Sequence, residues 1–228
     1  MKSKDLIWIL IIASISSLII IPATRAAYET FTDSMPYLSG FLKTAILATM
    51  GELLAKRIQT GNYFSVKGLG FRVLIWGFLG MGFVLAFKVF SQGVASAQAS
   101  LLLPSLASDG FGASLLTAFL ISLIMNLFFA PAFMLFHRFT DTVIDLGEGK
   151  LKQIFRVSFA KVIATIDWKY FFGFVILITI PCFWIPAHTI TFLLPENYRV
   201  LMAAYLSIVL GLILSLSKRT QAKKEKKI

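Results

Sequence analysis

Residues 113–136 read ASLLTAFLISLIMNLFFAPAFMLF, 24 positions without a single charge. A helix needs about 20 mostly apolar residues to cross the hydrocarbon of a bilayer. This stretch therefore reads as a transmembrane helix, and it sets the fold class for the rest of the chain. Working outward, five further stretches are long and apolar enough, or nearly so: residues 6–23, 37–55, 70–87, 171–194 and 200–217. The third of these is the least regular, because Arg72 sits near its start. The expectation is an all-α integral membrane bundle of about six transmembrane helices.

Composition agrees. Of the 228 residues, 57% are hydrophobic and 14% charged, and mean hydropathy is +0.81. A soluble domain is usually about 25% charged, so one soluble core cannot hide this much apolar surface. The net charge of +11 would suggest nucleic acid in a soluble protein. Here the positions of the basic residues give another reading. Counted before, between and after the six spans, Lys and Arg number 2, 1, 4, 1, 6, 1 and 6. Strict alternation is what six spans with both termini on the inner side produce. The charge thus reads as topology and attraction to anionic lipid headgroups, and no nucleic acid partner is expected.

The expected organisation is an N-terminal anchor over 1–24, a membrane bundle over 25–217 and a basic, disordered cytoplasmic tail over 218–228. The first span has a rival reading as a signal peptide, although Pro22 and Arg25 fit a cleavage region awkwardly. Between spans four and five, Leu151, Phe155, Phe159, Val162 and Ile166 repeat at helical spacing with basic residues between them. That pattern predicts an interfacial amphipathic helix. Residues 89–112 are rich in Ala and Ser and nearly uncharged; they either extend span three or lie on the outer surface.

A single cysteine, Cys182, excludes an intrachain disulfide and a thiolate metal cluster. No phosphate loop, zinc-protease or nucleophile-elbow motif occurs, so neither a cofactor nor enzyme chemistry is expected. Attention falls instead on polar residues inside spans, which are costly in lipid. Lys43 and Glu52 share span two but project to opposite faces. Glu52 has Lys56 at the i+4 position as a natural ion partner, or it faces a water-filled path. Asn126 lies in mid-span four, five residues before Pro131. His188, Thr189 and Thr191 lie between Pro186 and Pro195 in span five, and Pro181 adds a third proline, so this span is expected to be either a broken helix or a kinked one. Gly77, Gly80, Gly82 and Ala86 in span three read as a small-residue packing face.

Four patches resemble one known family. Tyr28 stands eight residues before Met35-Pro36, and Gly51-Glu52 follows fifteen residues after that proline. Then come Gly80-Met81-Gly82-Phe83-Val84, the run Asn126-Leu127-Phe128-Phe129-Ala130-Pro131, and Trp184-Ile185-Pro186 with Pro195-Glu196-Asn197-Tyr198-Arg199. In this order they resemble the family of the twenty-two kilodalton peroxisomal membrane protein and the mitochondrial inner-membrane protein Mpv-seventeen, over about residues 28–217. Glu52 replaces the usual aspartate, Lys56 the glutamine that follows it, and Met125-Asn126 an Asp-Gln pair. The first span is additional. The resemblance implies a pore for small polar solutes without naming the solute, and an oligomer is compatible with it. It adds Trp184, Pro186, Tyr198 and Arg199 to Lys43, Glu52, Asn126, Pro131, His188 and Thr191 as pore-lining candidates. The alternative is a structural or partner-binding membrane protein without transport. The Lys-rich start points to a bacterial inner membrane, with a mitochondrial inner or peroxisomal membrane as the alternative.

Overall fold

A computed structural model describes residues 3–107 and 110–225. Among them there is no strand. Six helices are long and apolar enough to cross a membrane, and the chain is a multi-pass membrane protein. Prolines and glycines set most of the helix boundaries. Helix α1 (Ser3–Ile20) is followed by α2 (Pro22–Ser34) and α3 (Pro36–Thr60), each of the latter two opening on a proline. Proline suits that position because the first turn has no partner for its missing N–H. Gly61 ends α3 at φ 78°, where its N–H bonds to the Arg57 carbonyl, and Gly68 at φ 61° turns the chain into α4 (Leu69–Ala99). Both sit in the left-handed region that glycine adopts at least cost. The Ala- and Ser-rich segment 89–112 thus extends span three only as far as Ala99; most of the remainder to α5 is turn and irregular chain.

Span four is bent. Helix α5 (Phe111–Phe128) runs through a right-handed Phe129 into α6 (Ala130–Leu146), with Pro131 at the junction. The helix thus continues ten residues beyond the expected end at 136 and carries polar side chains out of the apolar zone. Span five is composite. After α7 (Leu151–Ile154), α8 (Phe159–Thr165) and α9 (Trp168–Tyr170), the chain winds as a π-helix, π1 (Phe171–Trp184), with Pro181 inside it. It then returns to α10 (Ile185–Leu193), with Pro186 near its start. The expected break is therefore a change of helix type, not a gap.

The single amphipathic helix expected over 150–169 is not formed. Ser158 caps α8 by accepting from the Lys161 N–H, and the segment is divided among the short helices α7, α8 and the start of α9. The stripe divides with it. Val162 and Ile166 are buried against the bundle, while Leu151, Phe155 and Phe159 are exposed. Helix α11 (Glu196–Glu225) continues through most of the segment expected to be a disordered tail, and residues 226–228 lie outside the described residues.

Helix α3 is the centre of the packing. Against α4 the backbones nearly touch: a Cβ at Gly80 would lie 2.3 Å from the Gly40 carbonyl oxygen, and one at Gly77 would lie 2.3 Å from the Phe41 ring. Against α11, a Cβ at Gly51 would lie 3.1 Å from Ile208 Cα. Small residues permit this approach, which dispersion forces then stabilise. Gly77 and Gly80 thus do the packing expected of the glycine-rich face. Gly82 faces open space and takes no part, because it lies two residues further round the helix. Helix α1 lies on the outside of the bundle, held by a Trp8 indole N–H to the Met50 carbonyl at 3.1 Å and by a paired Arg57–Asp5 contact at 2.9 and 3.1 Å.

Polar contacts gather at the two ends. At the end that the basic residues mark as inner, Lys67 meets Glu148 at 2.6 Å and Arg72 meets Asp145 at 2.7 Å. At the other end, Lys88 pairs with Glu196 at 2.9 Å, and the Tyr28 hydroxyl donates to the Asn197 carbonyl at 2.9 Å. Six alternating spans bring these particular loops together.

Candidate functional site

Near the inner end, three helices bring charge into the bundle. On α4, Arg72 and Trp76 are one turn apart; on α6, His137, Asp141 and Asp145 repeat at the same interval, so each set shares a helix face. Glu52 comes from α3. Arg72 is only 7% exposed, and its guanidinium is fully engaged. Nε donates to the Lys67 carbonyl at 3.1 Å, one terminal nitrogen to Asp141 at 2.7 Å and the other to Asp145 at 2.7 Å. Glu52 accepts from Trp76 Nε1 at 3.0 Å and lies 3.6 Å from Arg72 and 3.3 Å from His137 Nε2. His137 packs on the Trp76 ring with centroids 4.2 Å apart, and its Nδ1 is 3.7 Å from Asp141.

Glu52 therefore does not pair with Lys56, which is exposed. Its partners come from α4 and α6, because a buried carboxylate needs close, desolvated donors. Glu52, His137 and Asp141 place three ligand-type atoms within 4.8 Å of one another. A guanidinium already answers two of these groups, so a divalent ion would have to displace Arg72 from a charge-assisted bond.

Deeper in the membrane, Asn126 and His188 are buried side by side. Asn126 Nδ2 donates to the Ser122 carbonyl at 2.8 Å and approaches His188 Nδ1 at 3.1 Å. The Ser122 hydroxyl donates to the Ile185 carbonyl at 2.7 Å, and the Thr189 hydroxyl reaches the same oxygen at 2.7 Å. The kinked span is thus stitched by hydroxyls and an amide, as backbone in lipid requires. His188 stacks on Trp184 with centroids 5.1 Å apart.

Glu52, His137, Asn126, Trp184 and His188 all line one partly open cavity of about 280 Å³ between α3, α4, α5, α6, π1, α10 and α11. Its other walls are mainly apolar, among them Phe83, Met125, Phe129 and Phe133. At the outer end a second cavity of about 450 Å³ is lined by Lys43, Asp33, Phe87, Glu196 and Arg199. Lys43 Nζ reaches Thr32 at 2.9 Å and the Asn197 carbonyl at 3.5 Å, and stands 4.5 Å over the Tyr28 ring. Arg199 closes the end of α10 by donating to the Leu194 carbonyl at 3.0 Å and the Phe192 carbonyl at 3.2 Å, where a cation also meets the negative end of the helix dipole.

Phe87 is the junction. It is buried, belongs to the wall of the outer cavity, and packs on His188 of the inner cavity with ring centroids 5.7 Å apart. Phe83 and Phe192 flank it at 5.6 and 5.0 Å.

Of the residues singled out in the sequence, Glu52, Asn126, Trp184 and His188 face the inner cavity, and Lys43 and Arg199 the outer. Pro131, Pro186, Thr191 and Tyr198 line neither. The two prolines shape the helices, Thr191 bonds back to the Ala187 carbonyl at 2.9 Å, and the Tyr198 hydroxyl donates to Glu29. Sequence reasoning missed Arg72, Trp76, His137 and Asp141 as one group. The available signal was the four-residue spacing on α4 and α6 near the inner ends of their spans. Comparison with models of known protein families, with curated proteins and with solved structures gives no match.

Proposed function

We propose that this chain is a passive channel for small polar solutes, and that the present conformation is its closed state, with Phe87 as the barrier. The observation that carries this reading is the position of Phe87 between an inner cavity holding Glu52, Asn126 and His188 and an outer cavity holding Lys43 and Arg199. Polar groups buried in lipid are costly, and cavities lined by them on both sides of one aromatic ring suit a solute path better than a packing core. The stretches that resemble the Mpv-seventeen family, Gly51-Glu52, Asn126 to Pro131 and Trp184 to Arg199, supply residues to these walls. A bacterial inner membrane suits the Lys-rich start. The exposed Leu151, Phe155 and Phe159, set among Lys150, Lys152 and Arg156, suit contact with anionic headgroups.

Reconstitution into liposomes with glycerol and sucrose efflux tests the reading. The wild type should pass glycerol slowly, and Phe87→Ala should pass it severalfold faster, with Phe87→Leu between them. Efflux equal to protein-free liposomes for all three overturns the channel and leaves a structural role.

A further inference from the structure

Among the described residues lining the inner cavity, Trp184, His188 and His137 each carry a buried ring nitrogen without a hydrogen bond, as does Glu52 at Oε2; His137 Nε2 lies 3.3 Å from the Glu52 carboxylate, whereas the other two rings face no charge. Trp184 Nε1 and His188 Nε2 are both buried atoms without a hydrogen bond, on side chains 9% and 3% exposed, and both residues line the cavity. The tautomer of His188 follows from its neighbour. Asn126 Nδ2 is oriented by the Ser122 carbonyl, and it lies closer to His188 Nδ1, at 3.1 Å, than Asn126 Oδ1 does, at 3.3 Å, so the amide donates to that nitrogen. The proton of the neutral ring is then on Nε2, and the His188 and Trp184 rings stack on each other at the cavity wall. An unsatisfied buried donor is costly, so two of them on stacked rings lining one cavity point to a ligand that accepts hydrogen bonds.

We propose that the inner cavity binds a small, uncharged aromatic compound bearing a carbonyl oxygen, which accepts from Trp184 Nε1 and His188 Nε2. Three features define that class. Two neutral N–H donors on stacked neighbouring rings select an oxygen acceptor over a cation. Glu52 and Arg138 line the same cavity with opposite charges, but the two N–H donors are neutral, so an ionised group held by them would be unpaired in a mainly apolar site. Aromatic walls from Phe83, Phe129 and Phe133 favour a planar ring by offset and edge contacts. The volume of about 280 Å³ is ample, given that a dry cavity of about 150 Å³ accepts benzene. Water is the competing occupant, but apolar walls leave most of its bonds unmade. The inference concerns occupancy of the cavity and does not require that a solute cross the membrane.

Fluorine NMR of 4-fluoroacetophenone with the full chain in lipid nanodiscs tests it, against empty nanodiscs as the partition control. Saturable binding above that control is expected, displaced by unlabelled acetophenone. Trp184→Phe and His188→Leu should each weaken it about tenfold, the loss of one net hydrogen bond of about 1.4 kcal/mol. In the wild type, 4-fluoroethylbenzene, which lacks the oxygen, should bind at least tenfold more weakly than the ketone; this comparison does not depend on any variant folding. Equal binding of the two compounds, tighter binding of 4-fluorobenzoate, or no signal above empty nanodiscs overturns the proposal. Ketone binding without liposome efflux would sustain this inference while overturning the channel, and efflux without ketone binding would do the reverse.

Discussion

The Arg72 guanidinium bridges Asp141 and Asp145, at 2.7 Å to each, across the gap between α4 and α6. The side chain is buried, so its loss would leave Glu52 and Asp141 sharing His137 alone as a cationic partner. Arg72→Leu should therefore destabilise the fold by about 3–5 kcal/mol, the cost of breaking a buried pair. Adding Asp141→Asn to Arg72→Leu should recover part of that loss, because it removes one of the orphaned charges. Denaturant or thermal unfolding in nanodiscs measures both; a double variant no better than the single one would argue against the pairing.

Two glycines of α4, Gly80 and Gly82, should behave oppositely. A Cβ at Gly80 meets the Gly40 backbone at 2.3 Å, whereas one at Gly82 meets nothing. Gly80→Ala should lower the melting temperature sharply, since backbone has no room to yield. Gly82→Ala should be neutral or stabilising by up to about 1 kcal/mol, by restricting the unfolded chain.

Glu52 and Asn126 line the inner cavity from different helices. Under the channel reading, Glu52→Gln should change ion preference or conductance in a planar bilayer while expression is unchanged, and Asn126→Leu should reduce passage by drying the path. Loss of stability with unaltered flux in both variants would instead favour the structural alternative.

Topology can be read by labelling. With Cys182 replaced, a single cysteine at Glu148 should react with a membrane-impermeant maleimide only after the membrane is opened, and one at the exposed Leu102 should react in intact cells. The alternating Lys and Arg counts place these loops on opposite sides, and the reverse pattern would invert the assignment.

Outside the spans, the hydrogen bond from Lys67 holds the Glu148 carboxyl below its ordinary range. A carboxylate lowered in the folded state adds stability that is present above its unfolded pKa and lost as pH falls through the folded value. The contribution is small, because both partners are exposed. Glu148→Gln should lower the neutral plateau of the stability profile slightly and flatten its acid limb, converging with the wild type at low pH, as measured by unfolding across pH.

The sequence by itself determined the solvent and the topology. Residues 113–136 cannot satisfy their backbone in lipid except as a helix, and the Lys and Arg counts fix which loops share a side; both are local properties that a single chain displays. It also marked Glu52, Asn126 and His188, because any polar group inside an apolar run stands out. Only the tertiary structure decided their partners. Lys56 is the near neighbour of Glu52 in sequence, yet Arg72, Trp76 and His137 reach it instead, since packing α3 on α4 and folding the extended α6 beside them brings those side chains within bonding distance. Likewise, the five-residue apolar stripe between spans four and five has helical spacing, but Ser158 caps a new helix in its middle and tertiary burial takes only Val162 and Ile166. Phe87 reads as one more apolar residue of span three. Its place between two cavities arises from where α4, α5 and α10 cross, a relation among residues far apart in the chain that no periodicity encodes.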